Sequence, residues 1–172
     1  GITLSVNLSG QTVGNPDMLK FIMGKMEDTG VPAAHVIFEI TETAAIANIT
    51  AATSFMLTLR GCGFRFCLDD FGSGLSSFTY LKKLPVDFLK IDGVFVRDIL
   101  SDPVDYAMVK AISDLGHLLG KQTIAKFVET HELSDELRKM GIDYIQGHAF
   151  GRPQPINNYV LTQPPRLVVV SS

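Results

Sequence analysis

The sequence has no positive charge to spare. Its 15 Lys and Arg stand against 18 Asp and Glu, a net charge of −3 at pH 7. No general basic field exists to attract nucleic acid, so DNA is not an expected partner; an anionic phosphate ligand would need a local cation or a metal. Cysteine is scarce: only Cys62 and Cys67 occur, the second inside an apolar run. They read as buried, reduced thiols and not as a disulfide framework or a metal pair. No signal-peptide pattern is visible, and no membrane span is expected in this segment. The longest uncharged stretch, between Thr43 and Arg60, carries Asn48, Ser54 and four threonines, and reads as a buried helix. What remains is a folded composition, 46% hydrophobic and 19% charged over 172 residues. That suffices for one domain with a real core, on the short side for a closed α/β barrel.

Apolar runs and helical spacings alternate along the chain. Strands are expected at Ile2–Val6, His35–Ile40, Phe64–Leu68, Asp87–Ile91, Gln122–Val128 and Asp143–Ile145. Helices are expected over Met18–Asp28, Ile49–Leu59, Val104–Leu119 and Ser134–Met140, and a glycine- and serine-rich loop over Phe71–Ser77. Pro16 after Asn15 marks a helix start, and Gly30, Gly61 and Gly63 mark stops. The alternation argues for a parallel α/β architecture, either a (β/α)8-type barrel lacking its first strand or strands, or an open doubly wound sheet.

The informative pattern is where the strands stop. Asn7, Glu39, Asp69, Asp70, Lys90 and Gln146 each end an apolar run. In a parallel barrel all strand C-termini open on one face, where active sites sit. Helix caps favour Ser, Thr, Asp and Asn over Glu and Lys, so capping does not account for the set. Three carboxylates and a carboxamide are hard oxygen ligands, suited to Mg²⁺ or Mn²⁺ and not to zinc. Two such ions could activate water and hold the phosphoryl oxygens of a diester. Lys90 then serves water or phosphate; a rival reading makes it a Schiff-base lysine, which leaves the carboxylates without a task.

These residues sit in short motifs that resemble the EAL family. Val6-Asn7-Leu8-Ser9 resembles its asparagine strand, and Phe38-Glu39-Ile40-Thr41-Glu42 its "E-I-T-E" strand. Leu68-Asp69-Asp70-Phe71-Gly72-Ser73-Gly74 resembles "D-D-F-G-[ST]-G", and Leu89-Lys90-Ile91-Asp92 resembles "K-I-D". The run Gln146 to Pro153 resembles "Q-G-Y-x-F-G-R-P", with His148 for the tyrosine, while Leu75 replaces a loop aromatic. The resemblance implies a modified TIM-like (β/α)8 barrel over about residues 1–160, with 161–172 as a C-terminal tail. It implies metal-dependent hydrolysis of cyclic di-GMP to the linear dinucleotide, with Mg²⁺ or Mn²⁺ as cofactor. Asn7, Glu39, Asp69 and Asp70 would be metal ligands, Lys90 would position water or phosphate, and Gln146 would support the water network. Glu42 would hold the loop containing Phe71, Gly72, Ser73 and Gly74. A homodimer, an upstream sensor or GGDEF-type diguanylate-cyclase module, and a cytoplasmic location, membrane-tethered through upstream segments or not, complete the expectation.

Two departures qualify it. Nothing here resembles the Glu-Ala-Leu motif that names the family, and a barrel without that strand would expose an edge, which Leu167–Val170 could cover. Where the family has "A-E-G-V-E-T", with the first glutamate as general base, this chain has Ala125-Lys126-Phe127-Val128-Glu129-Thr130. Glu129 keeps the second glutamate. Lys126 beside carboxylates stays protonated and cannot act as base. Three functions stay open: an impaired or inactive phosphodiesterase, a cyclic di-GMP receptor in which the ammonium replaces a metal, and an interaction domain that no longer binds nucleotide.

Overall fold

The computed structural model describes residues 3–73 and 78–155, the side chain of Phe78 excepted. Gly74, Leu75, the boundary at residue 160, the tail and its Leu167–Val170 run lie outside the described residues. The chain divides into two compact units, one of residues 1–67, 79–86 and 153–172, the other of 68–78 and 87–152.

The first unit opens with β1 (Leu4–Asn7) and α1 (Pro16–Thr29). Asn15 accepts a hydrogen bond from the Asp17 amide, Pro16 sets the first helical φ, and Gly30 closes the helix at φ 65°. These are the start and stop chemistry a helix end requires. Then come β2 (Val36–Thr41), α2 (Glu42–Ala47), α3 (Ile49–Gly61) and the beginning of β3 (Arg65–Phe71). Thr41 caps α2 and Asn48 caps α3. β1 and β2 pair in parallel, with Asn7 opposite Glu39. Phe38, Phe55, Phe64 and Phe66 pack into one aromatic cluster, ring centroids 5.2–6.5 Å apart.

The second unit holds the end of β3, then β4 (Phe88–Ile91), α4 (Gly93–Val96), α5 (Pro103–Leu118), β5 (Gln122–Ala125), α6 (His131–Lys139) and β6 (Tyr144–Ile145). β4–β5 and β5–β6 are parallel. Its core includes Leu68, Phe71, Leu89, Ile91, Val109, Ile112, Ile124 and Leu137. In hydrogen-bonding order the strands run β1-β2-β3-β4-β5-β6, and β3 belongs in part to each unit.

The described residues thus supply the six strands expected, with three corrections. The two short helices α2 and α4 were not expected. Phe71 is the last residue of β3 and fully buried, not part of a loop. β5 stops at Ala125, not Val128: Gln146 donates its amide to the Ala125 carbonyl and accepts from the Val128 amide. A regular parallel ladder would use the amide of residue 127, so one extra residue is inserted, a bulge at Lys126-Phe127.

Candidate functional site

Asp69 and Asp70 stand at the end of β3. Asp69 has ordinary strand geometry, but Asp70 is left-handed at φ 54°, a conformation that short polar residues tolerate best after glycine. The turn lets the Asp70 amide donate to Asp69 Oδ1 at 2.8 Å. Ser73 Oγ donates to the Asp70 carbonyl at 2.9 Å, and Gly72 continues the turn at φ 96°. A Cβ on Gly72 would come within 3.1 Å of Ile112 and 3.3 Å of Phe95, so the glycine is required by both space and φ.

The bulge after β5 delivers Lys126 to this pair. Its ammonium donates to Asp69 Oδ1 at 3.0 Å and to Asp70 Oδ1 at 2.6 Å. The Lys126 side chain is 18% exposed, Asp69 13% and Asp70 42%. Burial works to lower the lysine pKa, but the hydrogen bonds and charges of Asp70 and Asp69 outweigh it and hold the group above its ordinary value. Lys126 is therefore a fixed cation. It cannot take a proton at neutral pH.

The other expected residues of this unit are placed as follows. Lys90 is buried on β4, opposite Ile124 of β5. Gln146 follows β6 and is tied by its backbone to the bulge, while its side-chain oxygen is buried with no hydrogen-bond partner among the described residues. Glu129 is exposed just before α6. Gly147 lies so close to Val128 that a Cβ would fall 2.1 Å from its carbonyl oxygen; only glycine fits that approach.

In the first unit, Glu39 is buried on β2 and Asn7 is exposed at the end of β1. Glu42 is not a surface carboxylate: it is buried at the start of α2, and the Tyr80 hydroxyl donates to its Oε1. Tyr80 lies in the short 3₁₀ turn Phe78–Lys82. Burial, then the hydrogen bond to and charge of Glu42, push its pKa up.

Sequence reasoning did not single out Phe127, Arg97, Gly93 or Tyr80. Phe127 is left-handed at φ 57° and 42% exposed. For a bulky residue that backbone costs about 1–3 kcal/mol. Its ring lies against Gly93, and the Arg97 guanidinium lies over it, 4.5 Å from the centroid. A signal was present: Phe127 replaces the glycine of "A-E-G-V-E-T", at a position where glycine carries no φ penalty.

A divalent ion fits the aspartate pair poorly. Lys126 already holds one oxygen of each carboxylate. Among the described residues, no group of three or more His, Cys, Asp and Glu side chains is gathered as a metal site. A dication about 4 Å from the ammonium would meet about 8 kcal/mol of repulsion at an effective dielectric near 20, before screening.

A parallel α/β chain with acidic residues at its strand ends defines the class, and comparison with known proteins defines the family. The EAL domain model matches residues 1–153, and this chain belongs to the EAL domain family. It is 46% identical over 156 residues to the cyclic di-GMP phosphodiesterase PdeB of Shewanella oneidensis, covering 91% of this chain and 18% of that protein. It is 37% identical to the probable cyclic di-GMP phosphodiesterase PdeA of Escherichia coli, covering 91% and 21%. The chain thus spans about a fifth of the length of these curated relatives. Among solved structures it matches the PaMucR phosphodiesterase in complex with cyclic di-GMP, at TM-score 0.85 and 33% identity over 90% of this chain and 63% of that one. It also matches the FimX EAL domain of Pseudomonas aeruginosa bound to cyclic di-GMP, at TM-score 0.81 and 29% identity over 86% and 60%. The fold is accordingly the TIM-like α/β class of these EAL structures, not an open doubly wound sheet; the described residues supply six of its strands. No helix among them is long and apolar enough to cross a membrane.

Proposed function

We propose that this chain is an EAL domain that binds cyclic di-GMP without hydrolysing it, Lys126 replacing metal charge at the aspartate pair. The observation that carries this reading is the double hydrogen bond from Lys126 to Asp69 and Asp70. It removes the general base, because a lysine held by two carboxylates stays protonated. It also holds one oxygen of each carboxylate and sets a positive charge where a divalent ion would have to sit. Asn7, Glu39, Asp69 and Asp70 remain the positions to which the family resemblance gives Mg²⁺ or Mn²⁺ ligands, and the reading assigns no resident ion to them here. Lys90 and Gln146 keep their proposed task of serving phosphate and water, Glu42 that of holding the loop after β3, and Glu129 the place of the motif's second glutamate. The support for the ligand is that matched EAL structures contain cyclic di-GMP. As a domain of a longer signalling protein, the chain is proposed to act as a homodimer and in the cytoplasm, following upstream sensor or GGDEF-type modules.

The test is titration calorimetry with cyclic di-GMP in EDTA and in Mg²⁺, alongside a chromatographic assay for the linear dinucleotide. Binding in EDTA with no product in Mg²⁺ is expected. Turnover by the unmodified chain would overturn the loss of catalysis. Silence in both titrations would leave an interaction domain instead.

A further inference from the structure

Lys126 is committed to two aspartates, but the residue beside it is not explained by that arrangement. Phe127 stands where the motif has glycine, in a left-handed conformation that bulky residues avoid, and the residue is 42% exposed. Arg97, itself exposed, extends from the end of α4 and lays its guanidinium over that ring, 4.5 Å from the centroid. The Lys126 ammonium lies 5.9 Å from the same centroid. The underside is closed: the ring covers Gly93, the first residue of α4, where a Cβ would sit 1.9 Å from Phe127 Cδ2. All of these groups follow the C-terminal ends of β4 and β5, the side on which ligands of parallel α/β domains bind.

A phenylalanine serving only to cover Gly93 gains nothing from facing solvent or from carrying a cation on its surface. A solvent-facing arginine held over a ring is different. The ring restricts the guanidinium, and a planar cation presents a surface on which a nucleobase stacks while its charge reaches a phosphate. We infer that Arg97 and Phe127 form a stacking platform for a purine base of the bound nucleotide. This rests on the cyclic di-GMP reading given above and adds a contact that the family motif, with glycine at this position, does not contain. Recognition then combines a base on the Arg97–Phe127 pair with phosphate contacts from neighbouring cations.

The test is calorimetry with cyclic di-GMP in EDTA buffer on the unmodified chain and on Arg97→Ala, Arg97→Lys, Phe127→Leu and the Arg97→Ala/Phe127→Leu double variant. Circular dichroism melts verify folding. Each alanine or leucine change is expected to weaken binding about tenfold, the range that loss of one stacked base gives. Arg97→Lys, which keeps charge but not the plane, should recover little. The double variant should lose no more than about the larger single loss, because the two residues act as one unit. Binding by the unmodified chain with all variants within about twofold of it would overturn the platform and leave the proposed function standing. No binding by the unmodified chain would overturn both. If Phe127→Leu does not fold, Arg97→Ala, at an exposed position, decides alone.

Discussion

The Lys126 ammonium lies 2.6 Å from Asp70 Oδ1 and 3.0 Å from Asp69 Oδ1, and both left-handed non-glycine residues among those described adjoin this contact. Asp70 is one of the partners, and Phe127 follows the lysine. Two turns that the backbone resists are therefore held where the chain brings opposite charges together. The ion pair stabilises the turns, and the turns aim the charges, a coupling that strained residues need in order to persist.

Removing the cation exposes that coupling. Lys126→Met should lower stability in EDTA by about 2 kcal/mol, between the value of a surface pair and the cost of leaving a buried charge alone, discounted for the exposure of Asp70. Added Mn²⁺ should restore part of the loss in the variant and change nothing in the parent chain. The lysine pKa is raised in the folded chain, so its contribution is complete below the unfolded lysine value of about 10.4 and lost as pH rises through the higher folded value. The alkaline limb of the stability curve should flatten in Lys126→Met. Urea melts from pH 7 to 11, with and without Mn²⁺, check both. Equal manganese responses in parent and variant would defeat the charge argument.

Gly93 and Phe127 should behave as one unit. Because a Cβ at residue 93 falls 1.9 Å from the ring, Gly93→Ala must displace Phe127 and should cost about 1–3 kcal/mol by overpacking. In a Phe127→Gly background the same alanine should be nearly neutral. A double-mutant cycle by thermal or urea melting is expected to give a coupling of about 1 kcal/mol or more. Additivity would mean that the ring does not occupy that space.

Much of the fold was legible because apolar runs ending in polar residues mark parallel strands, and Asn15-Pro16 and Gly30 mark helix ends without tertiary help. The end of β5 was not. Lys126-Phe127-Val128 keeps an alternation that reads as continued strand, and the bulge is set by the carbonyl of Gln146, some 20 residues on, which accepts from Val128; that separation is about the reach of a β-α-β unit. Phe71 looked like loop because it adjoins Gly72-Ser73, yet a fully buried phenylalanine belongs to the strand that buries it. The nearness of Lys126 to Asp69 and Asp70 was expected only through the EAL resemblance, which puts residue 126 at the general-base position. The Arg97–Phe127 stack was not expected: the motif's glycine hints at the unusual backbone of residue 127, but nothing in the sequence pairs it with Arg97, 30 residues earlier.

Acid should act at the opposite ends of the same strands. Asp143, just before β6, accepts from the Thr123 amide at 2.7 Å, the Thr123 hydroxyl at 3.0 Å and His117 Nε2 at 2.8 Å, all on Oδ2. Burial pushes this carboxyl up, but the hydrogen bonds from His117 and Thr123 outweigh it and hold it below 3.8. A depressed carboxyl contributes stability that is complete above its unfolded value and lost as pH falls through the folded one. Asp143→Asn should therefore lower stability at pH 7 and reduce the slope of stability against pH below about 4. Melts in parallel from pH 7 to 2.5 decide it; an unchanged acid slope counts against the clamp.

The hydroxyl of Tyr80 gives the last separable effect. Glu42 is buried at the start of α2 and accepts from it. A hydrogen bond to a buried carboxylate is worth more than a neutral one, so Tyr80→Phe should cost about 1.5–3 kcal/mol. At this contact Glu42→Gln should cost less, because the amide oxygen still accepts from the tyrosine. The ring, kept in Tyr80→Phe, still packs, so the difference isolates the hydroxyl. Hydrogen exchange offers the local readout: amides of the 3₁₀ turn Phe78–Lys82 should exchange faster in Tyr80→Phe, while those of β4 and β5 keep their ranking. Faster exchange everywhere, in proportion to global stability alone, would show that the hydroxyl supports the whole chain and does not specifically anchor this turn.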